Sequence, residues 1–260
     1  MNNKKVKEGF KQNYYSQSKS TSFPKAVVAY VVNEILETYK KENNNSIKNI
    51  TVLDVGCGEG DYSALVAKRV KKVVAVEPYL PAYKKVLVKY KNINNLVFKN
   101  CMIENLKLKT KFDLVLSLTT IEHMPKAEIS FETIFKMMKK GGLIYLTAPN
   151  KFWPIECHYH LPFLSWLPLK YANLYLRLSG KVDSYEDCSY SKTFLGMKRF
   201  FNKYNCEIKF VLSRSDNKYI GCGNNSKGYK TLKTLGISLI SRIPAFWMFS
   251  KGFIMIIRKL

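Results

Sequence analysis

Apolar positions change period several times along the chain, and each change marks an element. Residues 1–23 are polar and predict a mobile arm. Behind Pro24, a residue suited to a first helical turn, Val27, Val28, Val31, Val32, Ile35 and Leu36 recur at helical spacing. The polar stretch KKENNNSIKN is expected to break that helix. From residue 50 short apolar runs alternate with longer amphipathic ones. Ile50–Val55, Lys72–Val76, Leu96–Lys99, Phe112–Leu118 and Leu143–Ala148 read as strands, and Tyr62–Val70, Pro81–Lys91 and Ala127–Lys140 as helices, the last stopped by Gly141-Gly142. That rhythm predicts right-handed βαβ units and a parallel sheet covered on both faces. After residue 150 the rhythm is lost. Residues 151–190 are rich in Trp, Phe, Leu, Pro and Tyr without a period. Thr193–Tyr204 reads as a helix, Glu207–Leu212 as extended, 214–250 as a Gly/Asn loop and an apolar stretch, and Phe253–Ile257 as a last strand.

Composition adds limits to this picture. With 47% hydrophobic and 13% aromatic residues, the chain of 260 can bury a core and is not a basic disordered tail. Its six cysteines include no CxxC pair, which fits a reducing, cytoplasmic setting and not a disulfide framework. No secretory signal and no uninterrupted apolar run of about 18 residues is visible. The net charge of +24 suggests nucleic acid at first sight, but 37 of the 43 basic residues are Lys and only 6 are Arg. Arginine is the residue whose planar fork reads phosphates and base edges. Two readings of the lysines stand: a solvated surface, or a field that attracts a phosphorylated acceptor or the peripheral face of an anionic membrane.

The informative segment is Thr51-Val52-Leu53-Asp54-Val55-Gly56-Cys57-Gly58-Glu59-Gly60. A strand runs into a glycine turn that opens a helix, so a ligand can lie against backbone N–H groups at the sheet's carboxyl edge. The third glycine of a dinucleotide fingerprint is missing, because position 61 is Asp. Val73-Val74-Ala75-Val76-Glu77 follows, a strand ending in a carboxylate 19 residues after Gly58, placed to accept hydrogen bonds from ribose hydroxyls.

With Phe112-Asp113-Leu114-Val115 and Gly141-Gly142-Leu143-Ile144, these segments resemble the class I S-adenosylmethionine-dependent methyltransferases over roughly residues 48–150. The resemblance implies an α/β fold: a Rossmann-like, doubly wound, mostly parallel seven-stranded sheet with an antiparallel last strand. It implies one domain, with an N-terminal arm and helix at 1–47, a cofactor-binding core at 48–150, lid insertions at 151–190 and 214–250, and 191–213 and 251–260 completing the sheet. Asp54, Gly56, Cys57 and Gly58 would cradle the methionine part of S-adenosyl-L-methionine and Glu77 the ribose. Met102 and Ile103 would flank the adenine, and Leu118 would lie near the sulfonium. Met102 stands where an Asp is usual.

A hydroxyl or amine acceptor must lose a proton, for which His or a carboxylate is suited. The three histidines, His123, His158 and His160, all follow strands of the parallel sheet, with Glu122 and Glu156 beside two of them. His123 is expected as the base, with His158 or His160 second; an orienting role for His123 stands beside that reading. Thr119-Thr120-Ile121-Glu122-His123 is similar to the metal-binding segment of quinone-biosynthesis O-methyltransferases, but its first acid is Thr119, so no metal is expected. The Cys157–His160 stretch reads as pocket lining or as structure. The insertion around Pro154-Ile155-Glu156 and His160-Leu161-Pro162-Phe163 is similar to methyltransferases encoded with bacterial surface-glycan genes. Phe163, Trp166, Phe246, Trp247 and Phe249 form either a packed lid or one that also meets a lipid-linked acceptor. The expected reaction is methyl transfer, at oxygen, to a small-molecule or lipid-linked acceptor. The alternatives are an RNA methyltransferase and a non-catalytic protein that keeps the fold.

Overall fold

Strand β1 (Thr51–Val55) is the pivot of the sheet, because its alternate side chains have to satisfy two separate cores. Leu53 and Val55 enter one cluster of buried residues and Val52 the other. The computed structural model describes residues 24–181, 184–212, 236–240 and 242–260. Seven strands form one sheet: β1, β2 (Lys72–Val76), β3 (Leu96–Lys99), β4 (Phe112–Leu118), β5 (Met138–Pro149), β6 (Cys206–Val211) and β7 (Gly252–Lys259). Their order is β3-β2-β1-β4-β5-β7-β6. The pairs among β1 to β5 are parallel, and β7 runs antiparallel to both of its neighbours.

Helices cover both faces. Helix α1 (Lys25–Asn43) buries Val28, Val31, Val32, Ile35 and Leu36 beside α2 (Asp61–Ala67) and α3 (Leu80–Lys89), against Val52, Val73, Leu114 and Tyr145. On the other face, α4 (Ala127–Met137) and α6 (Phe194–Phe201) pack Phe131, Ile134, Met197 and Phe201 on Leu53, Val74, Val115 and Ile144. Between β5 and α6 lies an insertion with α5 (Leu169–Leu178) and a small apolar core of Tyr159, Leu164, Ala172, Leu176, Tyr185 and Cys188.

Several boundaries differ from the sequence expectation by one to five residues, and three helix ends are instructive. Helix α1 runs four residues into the polar stretch, because Tyr39 is still buried and Asn44 closes the helix in a left-handed conformation, its N–H reaching the Lys40 carbonyl at 2.7 Å. Helix α2 ends at Ala67, three residues early. Helix α4 ends at Met137, not Lys140. Met138 is already extended and pairs with Phe112, and the irregular register there is taken up before Leu114 meets Leu143. The expected arm at 1–23, and 214–235 within the second expected insertion, lie outside the described residues.

Arginine serves this fold from within. The Arg258 guanidinium on β7 donates to the Glu42 carbonyl at 2.6 Å and to Asn43 Oδ1 at 2.7 Å, so a fixed positive charge closes the C-terminal end of α1. Arg69 is hydrogen-bonded to Asn33. Two of the six arginines thus join elements of the fold.

Phe131 is fully buried, with edge contacts to Phe200 and Phe201 at centroid distances of 5.4 and 5.1 Å. Phe131→Ala should therefore lower the unfolding free energy by about 3–5 kcal/mol, read as a lower urea midpoint at an unchanged slope.

Candidate active site

The carboxyl ends of β1 and β2 are drawn together by the chain itself. After Val55 the backbone turns so sharply that the Gly56 and Cys57 N–H groups both donate to the Val76 carbonyl, at 2.8 and 3.0 Å. Gly56 sits at φ +72°, and a Cβ there would lie 2.5 Å from Thr120 Cγ2, so glycine is obligatory. Thr120 belongs to the turn after β4 and donates its hydroxyl to the Val55 carbonyl at 3.0 Å. Its neighbour Thr119 holds a left-handed backbone (φ 50°) at the end of β4, with its N–H on the Thr147 carbonyl at 2.9 Å.

Into this junction come two buried carboxylates. Glu77, 1% exposed, accepts the Gly58 N–H and the Tyr79 N–H, both at 2.8 Å. Asp54, 3% exposed, accepts the Ser63 hydroxyl. Burial pushes the Glu77 carboxyl up to about 7, with its backbone donors opposing and Asp54 adding to the rise. Burial likewise raises Asp54 to about 6, partly offset by Ser63. The Cys57 thiol is pushed well up by burial and by these two acids. Buried acceptors with no cationic partner among the described residues suit a ligand that brings donors and positive charge. S-adenosylmethionine brings ribose hydroxyls, an ammonium and a sulfonium, so the residues present fit it.

The other expected cofactor residues divide. Leu118 ends β4 and is half-buried against the cluster that covers α1. Met102 precedes a single 3-10 turn, Ile103–Asn105, with its side chain half-buried. Ile103 points into the core instead, 5% exposed beside Leu106. Sequence reasoning missed Ser63, Thr120 and Asn150. The buried Asn150 amide donates to the Met248 and Ser250 carbonyls, both at 2.8 Å, and ties the end of β5 to the segment before β7.

Two of the three histidines meet in the interior. His123 closes the turn after β4, 9% exposed, with Nδ1 2.7 Å from the Asp187 carbonyl. His158 comes from the insertion, and the two rings stand edge to face with centroids 5.0 Å apart. His158 Nδ1 is 2.7 Å from Glu156 Oε1, while Glu156 Oε2 accepts the His158 and Tyr159 N–H groups at 2.8 and 2.6 Å. Burial and the nearby His158 charge push the His123 imidazole down to about 3. Burial opposes a charge on His158 too, yet Cys157, Cys188 and Glu156 hold its pKa well above the usual histidine value. Glu122 is 1% exposed with neither carboxylate oxygen hydrogen-bonded among the described residues, and burial raises it to about 7. His160 is exposed, at φ 56° on the turn that follows Glu156. Nothing in the sequence pointed to Asp187 or Cys188 as partners of this cluster.

Residues 27–208 match the methyltransferase domain family, and the chain belongs to it. The strand order is that of the class I S-adenosylmethionine-dependent methyltransferases. A ubiquinone biosynthesis O-methyltransferase of Pelagibacter ubique (strain HTCC1062) is 29% identical over 154 residues, 55% of this chain and 61% of that protein. Another of the same name from Rhizobium johnstonii is 26% identical, over 48% of this chain and 52% of its own length. The chain thus spans between half and two thirds of these curated relatives. Among solved structures, the plantazolicin methyltransferase BpumL in complex with SAH superposes with a TM-score of 0.57 at 16% identity, over 98% of this chain and 89% of that one. The N-methyltransferase NodS from Bradyrhizobium japonicum WM9 does so with a TM-score of 0.50 at 10% identity, over 90% and 97%. At these identities the structures show a shared fold.

Glu77 has to be ionised to accept hydroxyl donors on both oxygens, and below its pKa of about 7 a proton must first leave. Calorimetry should therefore show affinity for S-adenosylhomocysteine rising between about pH 6 and pH 8, by at most about tenfold per pH unit. Glu77→Gln should weaken binding and flatten the rise. An undiminished affinity would remove Glu77 from the site.

Proposed function

We propose that this chain methylates a hydroxyl group of a small, apolar or lipid-linked acceptor, using S-adenosylmethionine. The observation that carries the reading is the pair of buried carboxylates, Asp54 and Glu77, held around the Gly56–Gly60 turn. When bound, the cofactor supplies an electrophilic methyl group, and catalysis then asks mainly for alignment of the acceptor oxygen. Relatives named for O-methylation in ubiquinone biosynthesis support oxygen as the target and a small molecule as the acceptor.

The surface of the insertion supports an apolar acceptor. Phe152 stacks on Trp166 at 4.9 Å, Phe163 meets Trp166 edge-on at 4.8 Å, and Phe249 stands 6.5 Å from Phe152. These four aromatics are 42–60% exposed, and Leu174 and Leu178 on α5 add apolar surface beside Arg177. Exposed aromatics with basic neighbours suit peripheral contact with an anionic bilayer. Among the described residues no helix is long and apolar enough to cross a membrane.

Proton removal is not given to His123, since an imidazole pushed down to about 3 is a weak base near neutral pH. His158 is held as a cation against Glu156 and is equally unsuited. Of the three, His160 is the one whose side chain reaches solvent, and it takes the role of proton acceptor.

Methyl incorporation from labelled cofactor should appear with hydroxylated aromatic or lipid-linked acceptors and not with RNA; label in RNA alone would overturn the reading. His160→Ala should lower kcat by about 10²-fold or more with cofactor affinity unchanged, and unaltered turnover would take His160 out of the reaction. The protein should float with anionic liposomes at low salt and lose that association as salt rises, and a protein that stays wholly in the aqueous fraction removes the bilayer.

A further inference from the structure

The buried polar cluster between the sheet and the insertion is assembled in the manner of a metal centre. One ligand atom each from His123, His158 and Cys188 lie within 4.8 Å of one another. The residues come from three separate stretches: the turn after β4, the loop after β5 and the turn Glu186–Cys188. Each histidine has its Nδ1 held by an oxygen, His123 by the Asp187 carbonyl and His158 by the Glu156 carboxylate, both at 2.7 Å. A ring oriented in this way coordinates a metal through Nε2, and the oxygen behind it fixes its tautomer and raises its basicity. Cys188 is fully buried, so its thiol is protected from bulk oxidants and serves no surface chemistry.

An independent observation lies next door. The Glu122 carboxylate, 1% exposed, has neither oxygen hydrogen-bonded among the described residues, and it feels the charges of both His158 and Glu156. Leaving such a group unpaired in the interior is costly. A cation at the cluster would compensate it.

We propose that His123, His158 and Cys188 bind a zinc ion, with Glu122 as the adjacent compensating carboxylate and Glu156 and Asp187 as the groups that orient the two rings. Two imidazoles and one thiolate are a borderline-soft donor set that favours zinc over magnesium or calcium. This differs from the metal-binding segment that the Glu122-His123 pair resembles, since Thr119 offers no carboxylate and the other two ligands come from the insertion. On binding, Cys188 forms a bond to the metal and releases its thiol proton to solvent, and His158 exchanges a ring proton for the ion. The two positive charges of the ion are met by the Cys188 thiolate and the Glu122 and Glu156 carboxylates, which leave the cluster one net negative charge when both glutamates are ionised. The ion would fasten the insertion, and with it the acceptor side of the site, to the end of β4. The site stands whether or not the acceptor is the one proposed above.

The test uses the full chain, freed of metal by chelation and titrated with zinc against a chromophoric competitor, then with cobalt(II) as a spectroscopic substitute. The expected result is stoichiometric zinc, a thiolate-to-cobalt charge-transfer band, and a Tm that rises with zinc. Cys188→Ser should abolish the band, and Cys157→Ser should keep it. Glu156→Gln, which leaves the ligands in place, should weaken zinc by about 10- to 100-fold. Failure of the wild-type protein to bind zinc or show the band overturns the proposal, as does loss of the band in Cys157→Ser but not in Cys188→Ser. S-adenosylhomocysteine affinity measured on the same samples separates the two readings: retained cofactor binding without zinc sinks the metal site alone.

Discussion

The structure depends on one chain reversal, the donation of the Gly56 and Cys57 N–H groups to the carbonyl of Val76. Those bonds fold the end of β1 over the end of β2 and bring Gly58 to the Glu77 carboxylate, 19 residues away in sequence. They also close the gap between Gly56 and Thr120 so far that no side chain fits there. A buried acid on a strand end is expensive by itself. Here backbone donors meet part of that cost, and a ligand rich in donors would meet the rest. The same reversal sets the direction in which α2 leaves the sheet, and hence which residues of α2 face α1.

Charge is distributed in two different ways in this molecule. Lysine supplies 37 of the 43 basic side chains behind the net charge of +24, and several described lysines pair singly with acids, as Lys139 does with Asp113 at 2.7 Å. Exposed pairs of this kind contribute little to stability. The interior contains the opposite sign, with Asp54, Glu77, Glu122, Glu156 and Asp187 all at most 9% exposed. A basic exterior around an acidic interior suits a cationic cofactor inside and anionic surroundings outside. Of the six arginines, Arg258 and Arg69 are engaged in joining elements of the fold.

The parallel core was legible because its strands are largely buried and read as short apolar runs, and because a glycine turn and strand-end acids fall at the spacing of βαβ units. Boundaries were less so. Helix α4 gives way to β5 at Met138 because that residue finds a partner in Phe112, a tertiary contact that local propensity cannot register. Met102 and Ile103 looked equivalent as neighbours on a loop, yet the backbone turns between them and sends Ile103 into the core.

The histidines show most plainly where sequence stops and tertiary structure begins. Sequence by itself determined that the chain builds a nucleotide-type sheet, where its glycine turn and acids fall, and that all three histidines follow strands of that sheet, because these depend on short-range period and spacing. It could not tell which histidine is buried, which is charged and which reaches water. That was decided by the return of residues 184–190 to the turn after β4, which sets the Asp187 carbonyl on His123 and Cys188 beside His158. The burial this return creates pushes the His123 imidazole down and brings Cys188 to His158, and burial is a property of the packed chain, absent from any local window of sequence.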